Sequence, residues 1–280
     1  VVGCRLSPNT TRRENPDLLD PARQRIIQLD IDPRNAGWIF PTTVNLVGDA
    51  KAVLRQVVER AKRLDLPTLP QAGGRQAALQ QRKRAEGFYQ DAELFSDAVP
   101  ILPQRLIRVL NETLDPSALI TMDAGKNRLF MIHHFQPREV GTMIVPGGIA
   151  GMGWAPPAAV AAKLLHPERT CVSVSSDGGF AMSLHVLSTA LQYHAPTIFV
   201  VMNDSALGWV RDDRLQRPEI AEFIDTDFAA IARGFGCEGV RVEKPQEIAP
   251  AIERAKTAAV PTVIDVVVTR GESYKKVATP

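Results

Sequence analysis

Cys171-Val172-Ser173-Val174-Ser175-Ser176-Asp177-Gly178-Gly179-Phe180, followed by Thr197-Ile198-Phe199-Val200-Val201-Met202-Asn203-Asp204, is the stretch that decides the fold. Its first part, up to Ser176, is short, β-branched and apolar, the pattern of a buried strand. Asp177-Gly178-Gly179 breaks that strand. Between residues 181 and 193, Met182, Val186, Leu187, Ala190 and Leu191 recur at helical spacing and predict one amphipathic helix. His194-Ala195-Pro196 stops it. Residues 197–202 form a second strand without alternation, as expected when both faces of a sheet are covered. Strand, helix and strand in this span make a βαβ unit, so the strands run parallel. As neighbours they lie about 4.8 Å apart. Asp177 and Asp204, 27 positions apart, then share the carboxyl edge, where open α/β sheets bind ligands. Two carboxylates with carbonyls nearby suit Mg²⁺ or Ca²⁺, and Gly178 and Gly179 let backbone N–H groups approach a phosphate. The same residues also read as a helix cap at Asp177 and a turn at Asp204.

Outward from this unit, strands and helices alternate. A helix over 103–114 opens on Pro103. A strand over 118–122 and a helix over 157–165 precede the motif. A helix over 227–233, a strand over 239–242, a helix over 245–258 and a strand over 262–268 follow it. The pattern predicts an α/β fold, a doubly wound parallel sheet with helices on both faces, over residues 103–280. Residues 1–63 read as part of a preceding α/β domain. Residues 64–102 read as a linker, Pro- and Gly-rich over 66–74 and polar with helical propensity over 75–93. Val1-Val2-Gly3-Cys4-Arg5-Leu6 reads as the tail of a strand, without an initiator Met or a targeting signal, so the chain is expected to be a fragment.

Composition narrows the function classes. Among 280 residues, 33 Lys and Arg balance 31 Asp and Glu and are interspersed, so no basic face points to nucleic acid. No apolar run approaches the ~18 residues that a membrane span needs. Cys4, Cys171 and Cys237 have no metal-binding spacing and give no disulfide framework; Cys171, inside a strand, is expected in the core. A cytoplasmic location is the default expectation. Gly148-Ile149-Ala150-Gly151-Met152-Gly153 has the wrong spacing for a dinucleotide loop, and Pro156-Pro157 follows at once. His133 and His134 are adjacent and diverge on any regular element, which argues for surface or packing roles. His185 is expected to pack. Asp30-Ile31-Asp32 reads either as a strand end or as a contact to bound FAD or ADP.

At this point the chain resembles the thiamine diphosphate (ThDP) enzymes of the acetolactate synthase and pyruvate decarboxylase type. Their cofactor motif, Gly-Asp-Gly and later Asn-Asn or Asn-Asp, is matched by Ser176-Asp177-Gly178-Gly179-Phe180 and Asn203-Asp204-Ser205-Ala206-Leu207-Gly208. Asp123-Ala124-Gly125-Lys126-Asn127 is similar to the family segment that touches the diphosphate. Gly147-Gly148-Ile149-Ala150-Gly151-Met152-Gly153-Trp154-Ala155-Pro156-Pro157 is similar to the segment carrying the apolar prop under the cofactor. Residues 26–33 and 47–50 resemble the end of the family's central domain. The resemblance implies Mg²⁺ held by Asp177, Asp204 and the Ala206 carbonyl. It implies diphosphate contacts from Gly125, Lys126, Asn127, Gly178 and Gly179, with Met152 under the bent cofactor. Ser176 replaces the first Gly of the motif, and Asp204 replaces the commoner Asn. Leu207-Gly208-Trp209-Val210-Arg211-Asp212-Asp213-Arg214 lacks the Gln-Trp pair of biosynthetic acetolactate synthases.

The resemblance further implies cleavage or formation of C–C bonds next to a carbonyl, on a 2-oxo acid or acyl substrate. Alternatives within the family are a 2-hydroxyacyl-CoA lyase, a simple 2-oxo acid decarboxylase and a flavin-linked oxidase with FAD. Outside it stands a non-catalytic cofactor-binding subunit. The family's essential Glu belongs to a pyrimidine-binding domain outside this chain, so no catalytic residue is assigned here. The implied partner is that domain of another subunit, in a homodimer or homotetramer, and the fragment alone is expected to be inactive. Arg211, Asp212 and Arg214 are expected in the loop that shapes the substrate pocket.

Overall fold

The computed structural model describes residues 1–8, 10–64, 72–213 and 218–272. The chain divides into two compact units, Val1–Arg82 and Lys83–Pro280.

In the first unit, β1 (Ile27–Asp30) pairs in parallel with β2 (Val44–Val47). The expected N-terminal strand is reduced to a single parallel bridge between Val2 and Leu29. Asp30 ends β1 and accepts hydrogen bonds from Asp32 N and Asn35 Nδ2, while Asp32 caps a short 3₁₀ turn at Arg34 N. Both carboxylates thus serve the chain turn itself. Asp49 caps α1 (Ala50–Arg63) through Ala52 N. The polar segment expected to be helical over 75–93 forms α2 (Ala72–Ala85) and stops near Gly87, whose φ is +68°. The Pro-rich residues 66–71 lie outside the described residues.

The second unit runs α3 (Pro103–Thr113), β3 (Leu119–Met122), α4 (Lys126–His134), β4 (Met143–Ile144), α5 (Ala155–Leu165), β5 (Cys171–Ser176), α6 (Asp177–Ala181), α7 (Val186–Gln192), β6 (Ile198–Asn203), α8 (Gly208–Asp213), α9 (Phe228–Phe235), β7 (Glu238–Val242), α10 (Pro245–Lys256) and β8 (Thr262–Val267). Its six strands pair in parallel in the order β4-β3-β5-β6-β8-β7. Successive residues of β6 point to opposite faces. Val200 joins a cluster with Leu106, Leu110, Phe130 and Ile248 from α3, α4 and α10. Phe199 and Val201 join Val160, Phe180, Leu187 and Phe228 from α5, α6, α7 and α9. Every residue of β6 is buried, which explains its unbroken apolar run from Ile198 to Met202. This is the doubly wound α/β fold, with helices on both faces. No helix among the described residues is long and apolar enough to cross a membrane.

The single helix expected over 181–193 is two. The motif residues Asp177-Gly178-Gly179 open α6, and α7 starts only at Val186. Between them the backbone tightens to i−3 hydrogen bonds, Ser183 N to Phe180 O and Val186 N to Ser183 O. That 3₁₀-like pitch rotates the apolar stripe, so Met182 is left 60 % exposed. His185, expected to pack, is exposed for the same reason. Phe180, fully buried with its ring 5.8 Å from Phe199 and 5.7 Å from Phe228, anchors α6; burying such a ring contributes about 1.5–3 kcal/mol.

Candidate functional site

Strand order reverses between β3 and β5, because β4 returns outside β3 while β5 lies on its other side. Ligands of open α/β sheets bind at such a switch point, beyond the carboxyl ends of the strands. A cavity of about 320 Å³ opens there, and Gly125, Lys126, Asn127, Met152, Ser176, Asp204 and Gly208 all line it. Five predicted site residues therefore meet in one cavity. Asp177 and Gly178 line a neighbouring hollow with Leu207 and Phe223. Cys171 lies far from this chemistry in its strand: it is buried, and burial pushes its thiol up to about 11.

Asp123 organises the cavity. Its side chain is fully buried and accepts hydrogen bonds from Gly153 N (2.8 Å), Trp154 N (3.0 Å) and Ala155 N (3.4 Å). The end of β3 is thereby tied to the start of α5 and to the loop carrying Met152. Burial raises the Asp123 pKa, against the lowering effect of those N–H groups. Gly179 packs against it so closely that a Cβ there would stand 2.2 Å from Asp123 Oδ2. Gly125, at φ +137°, makes the turn into α4, and a Cβ on it would meet Asn127 Oδ1 at 2.7 Å.

Asp177 and Asp204 stand past the ends of β5 and β6, which are hydrogen-bonded neighbours. Asp177 is 3 % exposed. Its Oδ2 accepts from Ala206 N at 3.1 Å and its Oδ1 from Gly178 N at 2.7 Å. Desolvation, and next the charge of Asp204, push its pKa up to about 7. A Cβ at position 208 would stand 2.8 Å from Lys126 Cδ and 2.9 Å from Asp204 Oδ2. Among the described residues, no three His, Cys, Asp or Glu side chains gather into a metal cluster, so a cation here would rest on two carboxylates plus backbone oxygen. The residues fit such a group: Asp177 is pushed towards protonation by burial and by the neighbouring Asp204 charge, and two carboxylates with backbone oxygen are a donor set suited to a hard divalent ion.

The resemblance implies that Asn127 contacts the diphosphate. Its side-chain amide nitrogen donates to the carbonyls of Asp123 (3.3 Å) and Val174 (3.2 Å), and the buried Oδ1, an acceptor, has no hydrogen-bond partner among the described residues. Its side chain braces the β3–α4 turn, leaving the α4 N-terminus to face the cavity through backbone. Asn203 likewise turns inward, donating to Asp265 Oδ1 and Thr226 O at 2.9 Å each.

Sequence reading missed Asp265. It is fully buried in β8 and also accepts from Arg241 (3.0 Å) and Phe228 N (3.1 Å). A lone acid inside Val263-Ile264-Asp265-Val266-Val267 is itself a signal, because an isolated buried charge is costly unless paired. His133 and His134 end α4 with their rings 5.0 Å apart and do not line the cavity. Arg211 pairs with Glu222 at 2.9 Å; Arg214 and the side chain of Asp212 lie outside the described residues.

The fold, with two acids past adjacent strand ends at the switch point, is the architecture in which open α/β sheets bind ligands. The profile of the thiamine pyrophosphate (thiamine diphosphate) enzyme C-terminal binding domain matches residues 123–266, and that of the family's central domain matches residues 1–57. The chain is 30 % identical over 247 residues to YdaP of Bacillus subtilis, whose name describes it as thiamine pyrophosphate-containing, covering 86 % of this chain and 42 % of that one. It is 32 % identical over 253 residues to pyruvate oxidase of Lactiplantibacillus plantarum, covering 87 % and 40 %. It is 29 % identical over 246 residues to acetolactate synthase of Bacillus subtilis, covering 86 % and 42 %. The chain belongs to the thiamine diphosphate-dependent, acetolactate synthase-like enzyme family. It spans less than half the length of these relatives.

Proposed function

We propose that the full-length protein uses ThDP and Mg²⁺ to break or form a C–C bond next to the carbonyl of a 2-oxo acid. The observation that carries this reading is the pair of acids on adjacent strand ends, with Asp177 pushed up to about 7 beside Asp204. Such a pair calls for a divalent cation. Asp177, Asp204 and the Ala206 carbonyl would hold Mg²⁺. Lys126, the N-terminus of α4 and the Gly178-Gly179 backbone would hold the diphosphate. Met152, whose Cε would touch a Cβ at position 178 at 3.4 Å, would support the rest of the cofactor. When bound, ThDP supplies the electron sink for the bond cleavage. The chain's own part is to bind and orient it and to wall off water with Ile149, Leu207 and Trp209.

Residues 1–63 would then be the end of a central domain, 64–102 a connector and 103–280 the diphosphate-binding domain. The acid–base half of the site would come from a pyrimidine-binding domain of another subunit, in a cytoplasmic homodimer or homotetramer. Likeness to pyruvate oxidase favours, as second reading, an oxidative outcome with a bound flavin. The test is to incubate full-length protein with ThDP, Mg²⁺ and a panel of 2-oxo acids. Cofactor-dependent CO₂ release supports the proposal, and a flavin spectrum selects the oxidase. No turnover of any 2-oxo acid would overturn it.

A further inference from the structure

The turn carrying Asp204 and Ala206 is gripped from two sides. On one, Asp177 Oδ2 accepts from Ala206 N at 3.1 Å. On the other stands Arg270, three residues beyond the last residue of β8 and 66 positions from Asp204 in sequence. Its Nε donates to the Asp204 carbonyl at 2.6 Å and a terminal nitrogen donates to the Ser205 carbonyl at 3.2 Å. Its other terminal nitrogen lies 3.4 Å from Glu222, which also takes Arg211 Nε at 2.9 Å. The Glu222 backbone bridges Ala206 in antiparallel fashion, and Phe223 N donates to the Ser205 carbonyl at 2.7 Å.

This grip meets a need. Ser205 has φ +51°, a left-handed conformation that non-glycine residues adopt reluctantly. Without external bonds to its carbonyls the turn would relax, and the Asp204 side chain and Ala206 carbonyl would swing with it. A guanidinium is suited to holding two successive carbonyls because its donors form a rigid planar fork. Its charge is the drawback, since a cation beside a divalent metal site repels the metal. Glu222 offsets that charge at 3.4 Å.

We propose that Arg270, balanced by Glu222, is a positioning residue for the cation site, fixing the directions of the Asp204 carboxylate and the Ala206 carbonyl. The inference rests on the reading of that site as a Mg²⁺–diphosphate site. Full-length protein is titrated with Mn²⁺ in place of Mg²⁺, in the presence of ThDP. Affinity is read by calorimetry and the metal environment by electron paramagnetic resonance. Losing an outer partner of a metal ligand costs about 10–100-fold in affinity, and Arg270→Gln is expected in that range with an altered Mn²⁺ spectrum. Arg270→Lys, which keeps the charge without the fork, is expected to fall between it and the wild type. Glu222→Gln is expected to weaken Mn²⁺ at low salt and to recover as salt screens the uncompensated guanidinium. A merely structural role would lower the melting temperature and leave the Mn²⁺ spectrum of Arg270→Lys unchanged. Wild-type protein that binds Mn²⁺ and ThDP, with both Arg270 variants binding identically, overturns this inference alone. Wild-type protein that binds no Mn²⁺ with ThDP overturns the cofactor reading and this inference together.

Discussion

Replacing Gly179 with Ala tests how tightly the motif is built into the fold. The new Cβ would stand 2.2 Å from Asp123 Oδ2. Ordinary contact needs roughly 1 Å more, so one side has to yield. If the Asp123 carboxyl yields, it loses the 2.8 Å bond from Gly153 N. A hydrogen bond of this kind to a charged group contributes about 1.5–3 kcal/mol. If α6 yields instead, overpacking costs about 1–3 kcal/mol, and Phe180 is pulled from between Phe199 and Phe228. Either route gives a loss of about 1–3 kcal/mol, which lowers the melting temperature of a domain of this size by roughly 2–12 °C. The control is Gly234→Ala on the exposed side of α9, where a Cβ meets nothing within 4 Å. There a helical Gly→Ala change is expected to stabilise by about 0.5–1 kcal/mol. Thermal unfolding followed by near-UV circular dichroism is the assay, because Trp154, whose N–H binds Asp123, reports the same junction. Gly179→Ala protein melting with the wild type would refute the close approach and, with it, the reason for glycine there.

Gly208→Ala places a Cβ 2.8 Å from Cδ of the buried Lys126 and 2.9 Å from Asp204 Oδ2, so both side chains have to shift; ThDP affinity by titration should fall about tenfold or more. Asp265→Ala leaves Arg241 and the Asn203 amide without their shared partner, and a loss of about 3–5 kcal/mol is expected in thermal melts. Burial raises the Asp265 pKa, so the native state binds that proton more tightly than the unfolded chain, and that contribution is lost as pH rises from the unfolded value of about 3.9 through the higher native one. The stability gap between wild type and Asp265→Asn should therefore narrow from pH 4 upward; a constant gap would contradict it. Burial pushes the thiols of Cys171 and Cys237 up to about 11, so iodoacetamide at pH 8 should label the partly exposed Cys4 first. Peptide mapping that finds Cys171 labelled in the native protein would count against its place in the core.

The sheet was legible because its central strands are covered on both faces. Residues 198–202 are apolar, Val172 and Val174 alternate with buried serines in 171–176, and their neighbouring parallel pairing follows from one βαβ unit. The short β4 offers two residues, too few for any period to register. The helix α4 was missed because His133 and His134 end it and its polar N-terminal turn, Lys126-Asn127-Arg128, reads as a loop. The split between α6 and α7 depends on i−3 bonding around Ser183, which apolar spacing does not encode. At the site, the acids and glycines were legible as a motif, but the inward turn of the Asn127 and Asn203 amides was not. Their partners, Val174 and Asp265, lie 47 and 62 positions away. Arg270 is invisible for the same reason: only the completed sheet brings the end of β8 to the end of β6.

The central claim is that Asp177 and Asp204 together hold a divalent cation that secures a diphosphate. Its most direct test is calorimetric titration of full-length Asp177→Ala protein with ThDP, with and without Mg²⁺. Loss of Mg²⁺-dependent ThDP binding, in protein whose far-UV circular dichroism matches the wild type, is the expected result. ThDP affinity and Mg²⁺ dependence equal to those of the wild type would contradict the account.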